Sequence, residues 1–288
     1  MKKHRIAILL HEKDNELTLS RSLVKDYSRY WQEDGHEVIY IFGTKQFIPA
    51  DILLVHVDLT IVPDEYLEFA KQYPVALNAG IKDIRKSVVC DLNLEKNDIW
   101  SGPVIVKSDF NCAGIPERRR FQAPWWMRKR AMGFLNSLSL KTLKIPKTSD
   151  DYQVYDNLAQ VPAMLFRRPD LVVQKFLPEM DNGLYCVRTM IFIGNRIIGS
   201  RLKSRQPVVK GDATVEIEHG IEVHPDMLQL QHEMGFDYGK FDYVEIDGKA
   251  HLLDVNKTIG ISSKLENDPA IIQSRRYRAE GLYSFFSD

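Results

Sequence analysis

The first eighty residues alternate between strand-like and helix-like hydrophobic patterns. Four strands are predicted from short apolar runs, at 5–10, 36–42, 52–57 and 75–77. Apolar residues at helical spacing predict a helix over 17–31, and Pro63 with the acidic residues after it predicts a second helix over 63–73. Alternating strands and helices are typical of a small, mostly parallel α/β domain, which we place at 1–80.

From about residue 81 the predicted strands follow one another in runs. They lie at 104–107, 171–177, 185–193 and 196–205, and a last hairpin turns at Asp247-Gly248. Tight Gly-containing turns between them indicate antiparallel pairs. Helices are predicted over 225–234 and 268–286. The fold class is therefore α/β plus α+β, with antiparallel sheets over 81–288.

Composition and motifs exclude several classes of protein. The 39 basic and 39 acidic residues cancel, which argues against a dedicated nucleic-acid binder. The three cysteines include no CxxC pair, so we expect neither a disulfide scaffold nor a zinc knuckle, and a cytoplasmic location is the default. No apolar run approaches the roughly 20 residues that cross a bilayer. GxGxxG and P-loop fingerprints are also absent, so a nucleotide would need another scaffold.

The last predicted hairpin carries a candidate metal site. Asp254 and Asn256 lie two apart on one strand and share a face. A two-residue loop at Asp247-Gly248 would set Asp242 opposite Leu253, whereas a three-residue loop would set it opposite Asp254. In the second case two carboxylates and an amide oxygen converge, a donor set suited to Mg²⁺. The alternative is a solvated hairpin whose acids only keep the sheet edge soluble.

Basic residues form a second candidate site. Arg201, Lys203 and Arg205 recur at period two, and Arg188 lies on the neighbouring predicted strand, so one face could bind a polyphosphate or carboxylate. A solvated face is the alternative. Lys107 ends a buried apolar run and needs an anionic partner, and Lys86 lies about twenty residues upstream as a second candidate.

The order of these segments resembles the ATP-grasp superfamily, which includes D-alanine–D-alanine ligase, glutathione synthetases and peptide-glutamate ligases. The similarity rests on Lys86, VIVK ending at Lys107, LVVQKFLPE, YCVR, RLKSR, FDYV and LLDVNKT, and it covers roughly 81–262. It implies a pre-ATP-grasp-like domain followed by an ATP-grasp module.

The resemblance also implies roles for individual residues. Lys86 and Lys107 would hold the α- and β-phosphates of ATP, with Lys203 as a further nucleotide contact. The hinge formed by Gln174, Lys175, Phe176 and Leu177 would contact adenine, and Glu179 the ribose. Arg188 and Arg201 would be catalytic, near the γ-phosphate and an acyl phosphate. Asp242, Asp254 and Asn256 would bind Mg²⁺, with two ions expected. The shorter Asp254 stands where the family commonly has glutamate.

Two features depart from the family pattern. The loop after Lys107 has only Gly114, whereas the family's phosphate lid is richer in glycine. The spacing to Gln174 implies an insertion or lid near 116–148, where six cations flank Trp125-Trp126. We interpret that segment as a recognition lid for an anionic or aromatic acceptor, with a single-strand nucleic-acid site, a partly ordered loop or a homo-oligomer contact as alternatives.

The leading functional hypothesis is an ATP-dependent carboxylate–amine or peptide ligase that acts through an acyl phosphate. The alternatives are a small-molecule kinase and a non-catalytic ATP-binding regulatory protein. Phosphoryl transfer of this kind needs positioned charge rather than a protein nucleophile. The expected partners are a small-molecule or peptide carboxylate and an amine, with no membrane.

Overall fold

The computed structural model describes residues 2–20, 22–121, 152–211, 213–261 and 269–286. The strands are β1 Arg5–Leu10, β2 Glu37–Phe42, β3 Ile52–Val55, β4 Ala76–Leu77, β5 Val104–Ser108, β6 Gln153–Tyr155, β7 Leu171–Lys175, β8 Glu179–Asp181, β9 Leu184–Ile193, β10 Arg196–Ser204, β11 Thr214–Ile221, β12 Tyr238–Ile246 and β13 Lys249–Asn256. The helices are α1 Glu16–Leu19, α2 Leu23–Glu33, α3 Asp64–Ala70, α4 Lys86–Val89, α5 Ile115–Arg120, α6 Pro225–Met234 and α7 Pro269–Ala279. Short 3₁₀ turns lie at Asn111–Gly114, Leu158–Gln160, Leu165–Arg167 and Glu280–Phe285.

The chain divides into two compact units. Unit 1 comprises 1–84, 88–91 and 177–288, and unit 2 comprises 85–87 and 92–176. The domain boundary that the sequence suggests at residue 80 stays a prediction. The predicted insertion at 116–148, with Trp125-Trp126, lies almost wholly outside the described residues.

Unit 1 contains the predicted parallel sheet. Its order is β2-β1-β3-β4, and every pair is parallel. The strand β1 is buried from Ile6 onward, as expected of a central strand covered on both faces. The predicted helix over 17–31 is interrupted, because Ser22 pairs with Gly260 and the Leu23 amide donates to Ile259 O at 2.8 Å. The small parallel α/β domain is thus confirmed.

Unit 1 also contains a six-stranded antiparallel sheet. Its order is β11-β10-β9-β12-β13, with β8 added to one end of β9. One face packs on a cluster that includes Met190, Phe192 and Met227 of α6. On the other face, Ile193 and Tyr238 pack in a hydrophobic cluster with residues of the parallel sheet and α2. The predicted antiparallel character of the second part is confirmed.

Unit 2 is built on a smaller antiparallel sheet, β6-β5-β7. Val104 and Val106 of β5 pack with Leu158, Leu165 and Val173, so this unit has its own hydrophobic core. None of the helices in the described ranges reaches the length and hydrophobicity that crossing a bilayer requires.

Candidate functional site

The β12–β13 ribbon brings the two predicted metal-binding carboxylates together. Asp242 pairs directly with Asp254, and Lys240 pairs with Asn256. Directly opposed residues of antiparallel strands point to the same face of the sheet, with Cβ atoms about 5 Å apart. Asp242, Asp254 and Asn256 therefore line one face beside Lys240.

The route to this register differs from both alternatives considered from the sequence. The loop has two residues, Asp247 and Gly248, and both have positive φ, as in a type I′ turn. That loop alone would set Asp242 opposite Leu253. A β-bulge at Leu253 adds one residue to β13 and restores the pairing with Asp254.

Lys240 is a residue of the candidate site that sequence reasoning missed. Its Nζ lies 2.9 Å from both carboxylate oxygens of Asp242. The signal was present in the sequence, because Lys240 and Asp242 are two apart on one strand and must share a face.

The predicted basic row lies on the other face of the same sheet. The pairing of β9 with β12 sets Asp242 opposite Thr189 and Tyr243 opposite Arg188. Since successive side chains alternate between faces, Arg188 and Asp242 point to opposite sides. Arg201 is opposite Arg188, so it and Lys203 lie on the Arg188 face. The structure does not bring Arg188, Arg201 and Lys203 to the face that carries the metal-site candidates.

These three cations are held by carboxylates of the chain itself. Lys203 Nζ lies 2.6 Å from Asp181, 2.9 Å from Glu216 and 2.6 Å from Glu218. Arg201 binds Glu218 through Nε at 2.7 Å and Nη2 at 3.0 Å. The hydrogen bonds from Arg201 and Lys203 lower the pKa of Glu218 to about 2. The same network raises the pKa of Lys203, with the hydrogen bond that it donates to Asp181 as the largest cause.

Glu179, the predicted ribose ligand, belongs to the same network. It is 6% exposed and accepts from Arg188 Nε at 2.9 and 3.0 Å. It also accepts from the Glu245 amide at 2.9 Å, and Arg188 Nη1 lies 3.0 Å from the Glu245 carboxylate. This face thus joins three cations and five carboxylates across β8–β12, a network whose acids the sequence pattern did not single out. The ribose role of Glu179 and the phosphate-side roles of the cations stay predictions.

In unit 2, the two predicted phosphate lysines lie near one stretch of chain. Lys107 is 8% exposed near the end of β5, and Lys86 is 3% exposed. Lys86 Nζ donates to Phe110 O at 3.4 Å, and its amide donates to Asp109 O at 3.2 Å. Asp109 also accepts from the Ser87 amide and hydroxyl, both at 2.7 Å. The start of α4 is therefore fastened to the segment that follows Lys107.

The glycine-poor segment after Lys107 adopts an unusual backbone. Cys112 and Ala113 have φ of 46° and 53°, and Gly114 has φ of 71°. Left-handed conformation is unfavourable for residues other than glycine. The departure from the family pattern is thus accompanied by local backbone strain at Cys112 and Ala113.

The predicted adenine hinge begins at the end of unit 2. Gln174 is fully buried, and its Nε2 donates to Asn93 Oδ1 at 3.0 Å. The amides of Lys175 and Phe176 donate to Leu92 O at 2.8 Å and Pro103 O at 2.9 Å, so these two N–H groups are used within the unit. Leu177 begins the last segment of unit 1. The contact with adenine stays a prediction.

The donor chemistry on the β12–β13 ribbon fits a divalent cation. Asp242, Asp254 and Asn256 offer oxygen ligands of the kind that Mg²⁺ takes beside substrate phosphates. Within the described ranges no group of three or more His, Cys, Asp or Glu side chains could hold a metal. Asp242 and Asp254 are two such side chains, so the third oxygen of the candidate donor set is the amide oxygen of Asn256.

The two sheets of unit 1 and the three-stranded sheet of unit 2 define an ATP-grasp fold. An ATP-complexed D-alanine–D-alanine ligase from Bacillus anthracis aligns with a TM-score of 0.51 and 13% identity, over 98% of this chain and 96% of that chain. A RiPP-associated ATP-grasp ligase from Chryseobacterium gregarium, in complex with ADP and a leader and core peptide, aligns with a TM-score of 0.52 and 12% identity, over 98% and 97%. No family model and no curated protein matches the sequence.

Proposed function

We propose that this protein is an ATP-dependent ligase that joins a carboxylate to an amine. The observation that carries the proposal is the pairing of Asp242 with Asp254, beside Asn256, on the large sheet of an ATP-grasp fold. Support comes from the structural neighbours, of which one is a ligase complexed with ATP and another a ligase complexed with ADP and peptide.

In the proposed site, Asp242, Asp254 and Asn256 hold Mg²⁺. When bound, the ion neutralises charge on the phosphates during transfer. Lys86 and Lys107 are assigned to the α- and β-phosphates. Lys240 is added to the sequence-based set, because it is a cation on the same face as the acids.

The reaction proceeds in two displacements. A carboxylate oxygen of the substrate attacks the γ-phosphorus, and the bond to the leaving ADP oxygen breaks. The amine then attacks the acyl carbon, the bond to the phosphate oxygen breaks, and the amine loses a proton as inorganic phosphate leaves. Neither step needs a protein nucleophile, and both depend on fixed charge around the reacting oxygens. An acceptor hydroxyl in place of the carboxylate would make the protein a kinase.

The proposal is tested by nucleotide binding and by product release. We expect ATP with Mg²⁺ to raise the melting temperature, and ADP release from a panel of amino acids and peptides to require both a carboxylate and an amine. Release that needs only a hydroxyl acceptor would favour the kinase. The absence of any melting shift at millimolar ATP would contradict both.

Asp254→Asn tests the metal assignment. We expect ADP release to fall by about 100-fold or more, because the site loses one of its two metal-binding carboxylates and holds less firmly the positive charge that offsets the phosphates. Asp247→Asn removes the same charge from the other end of the ribbon and is the matched control. Full activity in Asp254→Asn would refute the assignment.

A further inference from the structure

The predicted metal site contains its own cation. Lys240 Nζ lies 2.9 Å from Oδ1 and 2.9 Å from Oδ2 of Asp242, so the ammonium is shared by both carboxylate oxygens. The Lys240 side chain is 27% exposed and that of Asp242 is 18% exposed. The pair is therefore partly shielded from water, where a charged hydrogen bond is stronger than at an open surface.

The register makes this contact part of the site. Lys240 is directly opposite Asn256, and Asp242 is directly opposite Asp254. The four side chains form two adjacent cross-strand pairs on one face. They carry one positive and two negative charges. A divalent cation that bound Asp242 and Asp254 would lie close to the ammonium, and the two cations would repel each other.

We propose that Lys240 is an exchangeable counter-ion: a divalent cation displaces it from Asp242, and the released ammonium then binds a phosphate of the nucleotide. This inference rests on the proposed function, because it assigns a coupling within the same site. Lys240 weakens metal binding when the nucleotide is absent, and the nucleotide relieves this effect by binding the released ammonium. By linkage, metal and nucleotide increase each other's affinity by the same factor.

The counter-ion role differs from that of a fixed phosphate ligand. A fixed ligand would leave the affinity for the metal alone nearly unchanged, apart from a general charge effect. A counter-ion on Asp242 lowers that affinity directly. The metal-alone measurement therefore separates the two roles without any turnover.

The test is the binding of Mn²⁺ to the intact protein, followed by the EPR signal of the free ion, with and without ADP. Without ADP, we expect Lys240→Met to bind Mn²⁺ about tenfold more tightly than the wild type, the scale of one hydrogen bond to a charged group. We expect Lys249→Met, which removes a lysine from the turn end of the same ribbon, to stay within about twofold, as for an exposed charge. With ADP, the gain in Mn²⁺ affinity should be smaller in Lys240→Met than in the wild type.

Two further variants guard against a trivial result. Lys240→Arg keeps the charge and should bind Mn²⁺ like the wild type. Lys240→Gln keeps a donor for Asp242 without the charge, and should bind more tightly than the wild type even if Lys240→Met melts too early for the assay.

The outcomes separate this inference from the ligase proposal. Equal Mn²⁺ affinity in Lys240→Met, Lys240→Gln and Lys249→Met would overturn the counter-ion role, and so would a lack of Mn²⁺ binding by every form. Failure of ADP and ATP to bind any form would instead refute the ligase, while the metal-alone comparison would still decide the counter-ion role.

Discussion

Asn78 connects the end of the parallel sheet to the strand that carries Lys240 and Asp242. It is 1% exposed and has φ of 58°. Its Oδ1 accepts from the amides of Asp237 at 3.0 Å and Tyr238 at 3.2 Å, and its Nδ2 donates to Tyr238 O at 2.7 Å. One amide side chain thus satisfies three backbone groups at the start of β12.

We expect Asn78→Ala to lower the free energy of unfolding by about 4–6 kcal/mol. Three buried backbone groups lose their partner at roughly 1–1.5 kcal/mol each. The left-handed backbone at residue 78 destabilises the alanine variant by about a further 1 kcal/mol, a cost that is absent for glycine. The total is a large fraction of the roughly 5–15 kcal/mol that stabilises a typical domain.

The assay is urea unfolding followed by circular dichroism, with two comparisons. Asn182→Ala is the matched control, because Asn182 also has positive φ, at 50°, but is exposed in the β8–β9 turn. It should lose only about 1 kcal/mol. Asn78→Gly should be about 1 kcal/mol more stable than Asn78→Ala. If Asn78→Ala costs no more than Asn182→Ala, the three hydrogen bonds do not stabilise the fold and the reasoning is wrong.

Two further predictions concern the large sheet. The folded-state pKa of Glu218, about 2, lies below its ordinary value of 4.5. The ionised Glu218 side chain therefore stabilises the fold fully above pH 4.5, and this stabilisation disappears as the pH falls toward 2. Thermal melts should therefore give Glu218→Gln a lower melting temperature at pH 7 and a shallower decline over that window than the wild type, and parallel curves would count against the ion network. Gly281→Ala should lose about 1–3 kcal/mol in urea unfolding, because a Cβ would lie 1.9 Å from Ile193 O, whereas Gly80→Ala, with no atom within 4 Å, should be near neutral. Equal stability of the two alanine variants would contradict that packing argument.

The sequence predicted those features of the candidate site that depend on local periodicity. Alternation along a strand correctly groups Asp254 with Asn256, and Arg201 with Lys203, because side chains repeat every two residues. The bulge at Leu253 could not be predicted, since nothing in LLDVN marks the extra residue. A shift of one residue moves a whole strand's side chains to the other face, so pairing between distant strands cannot be inferred from periodicity alone.

This dependence on strand register explains why the sequence-based assignment groups the basic row, Arg188, Arg201 and Lys203, with the metal-site acids. Arg188 and Asp242 lie 54 positions apart in the sequence, and only the β9–β12 register determines their relative faces. This register places Arg188 and Asp242 on opposite faces of the sheet. The acids that neutralise the row come from β8, β11 and β12, and their role depends on the same non-local pairing.

The separation of the two faces changes where the positive charge of the proposed site comes from within unit 1. Lys203, with three N–H donors, meets three carboxylates, so a phosphate could bind it only by displacing one of them. Lys240 is on the face of Asp242 and Asp254, and its carboxylate partner is itself a proposed metal ligand. Metal binding would therefore release a cation at the position where phosphate charge must be balanced, whereas the network around Lys203 would keep its cations. The proposal therefore assigns the phosphate-side cation of unit 1 to Lys240, whereas the roles predicted for Arg188, Arg201 and Lys203 stay predictions.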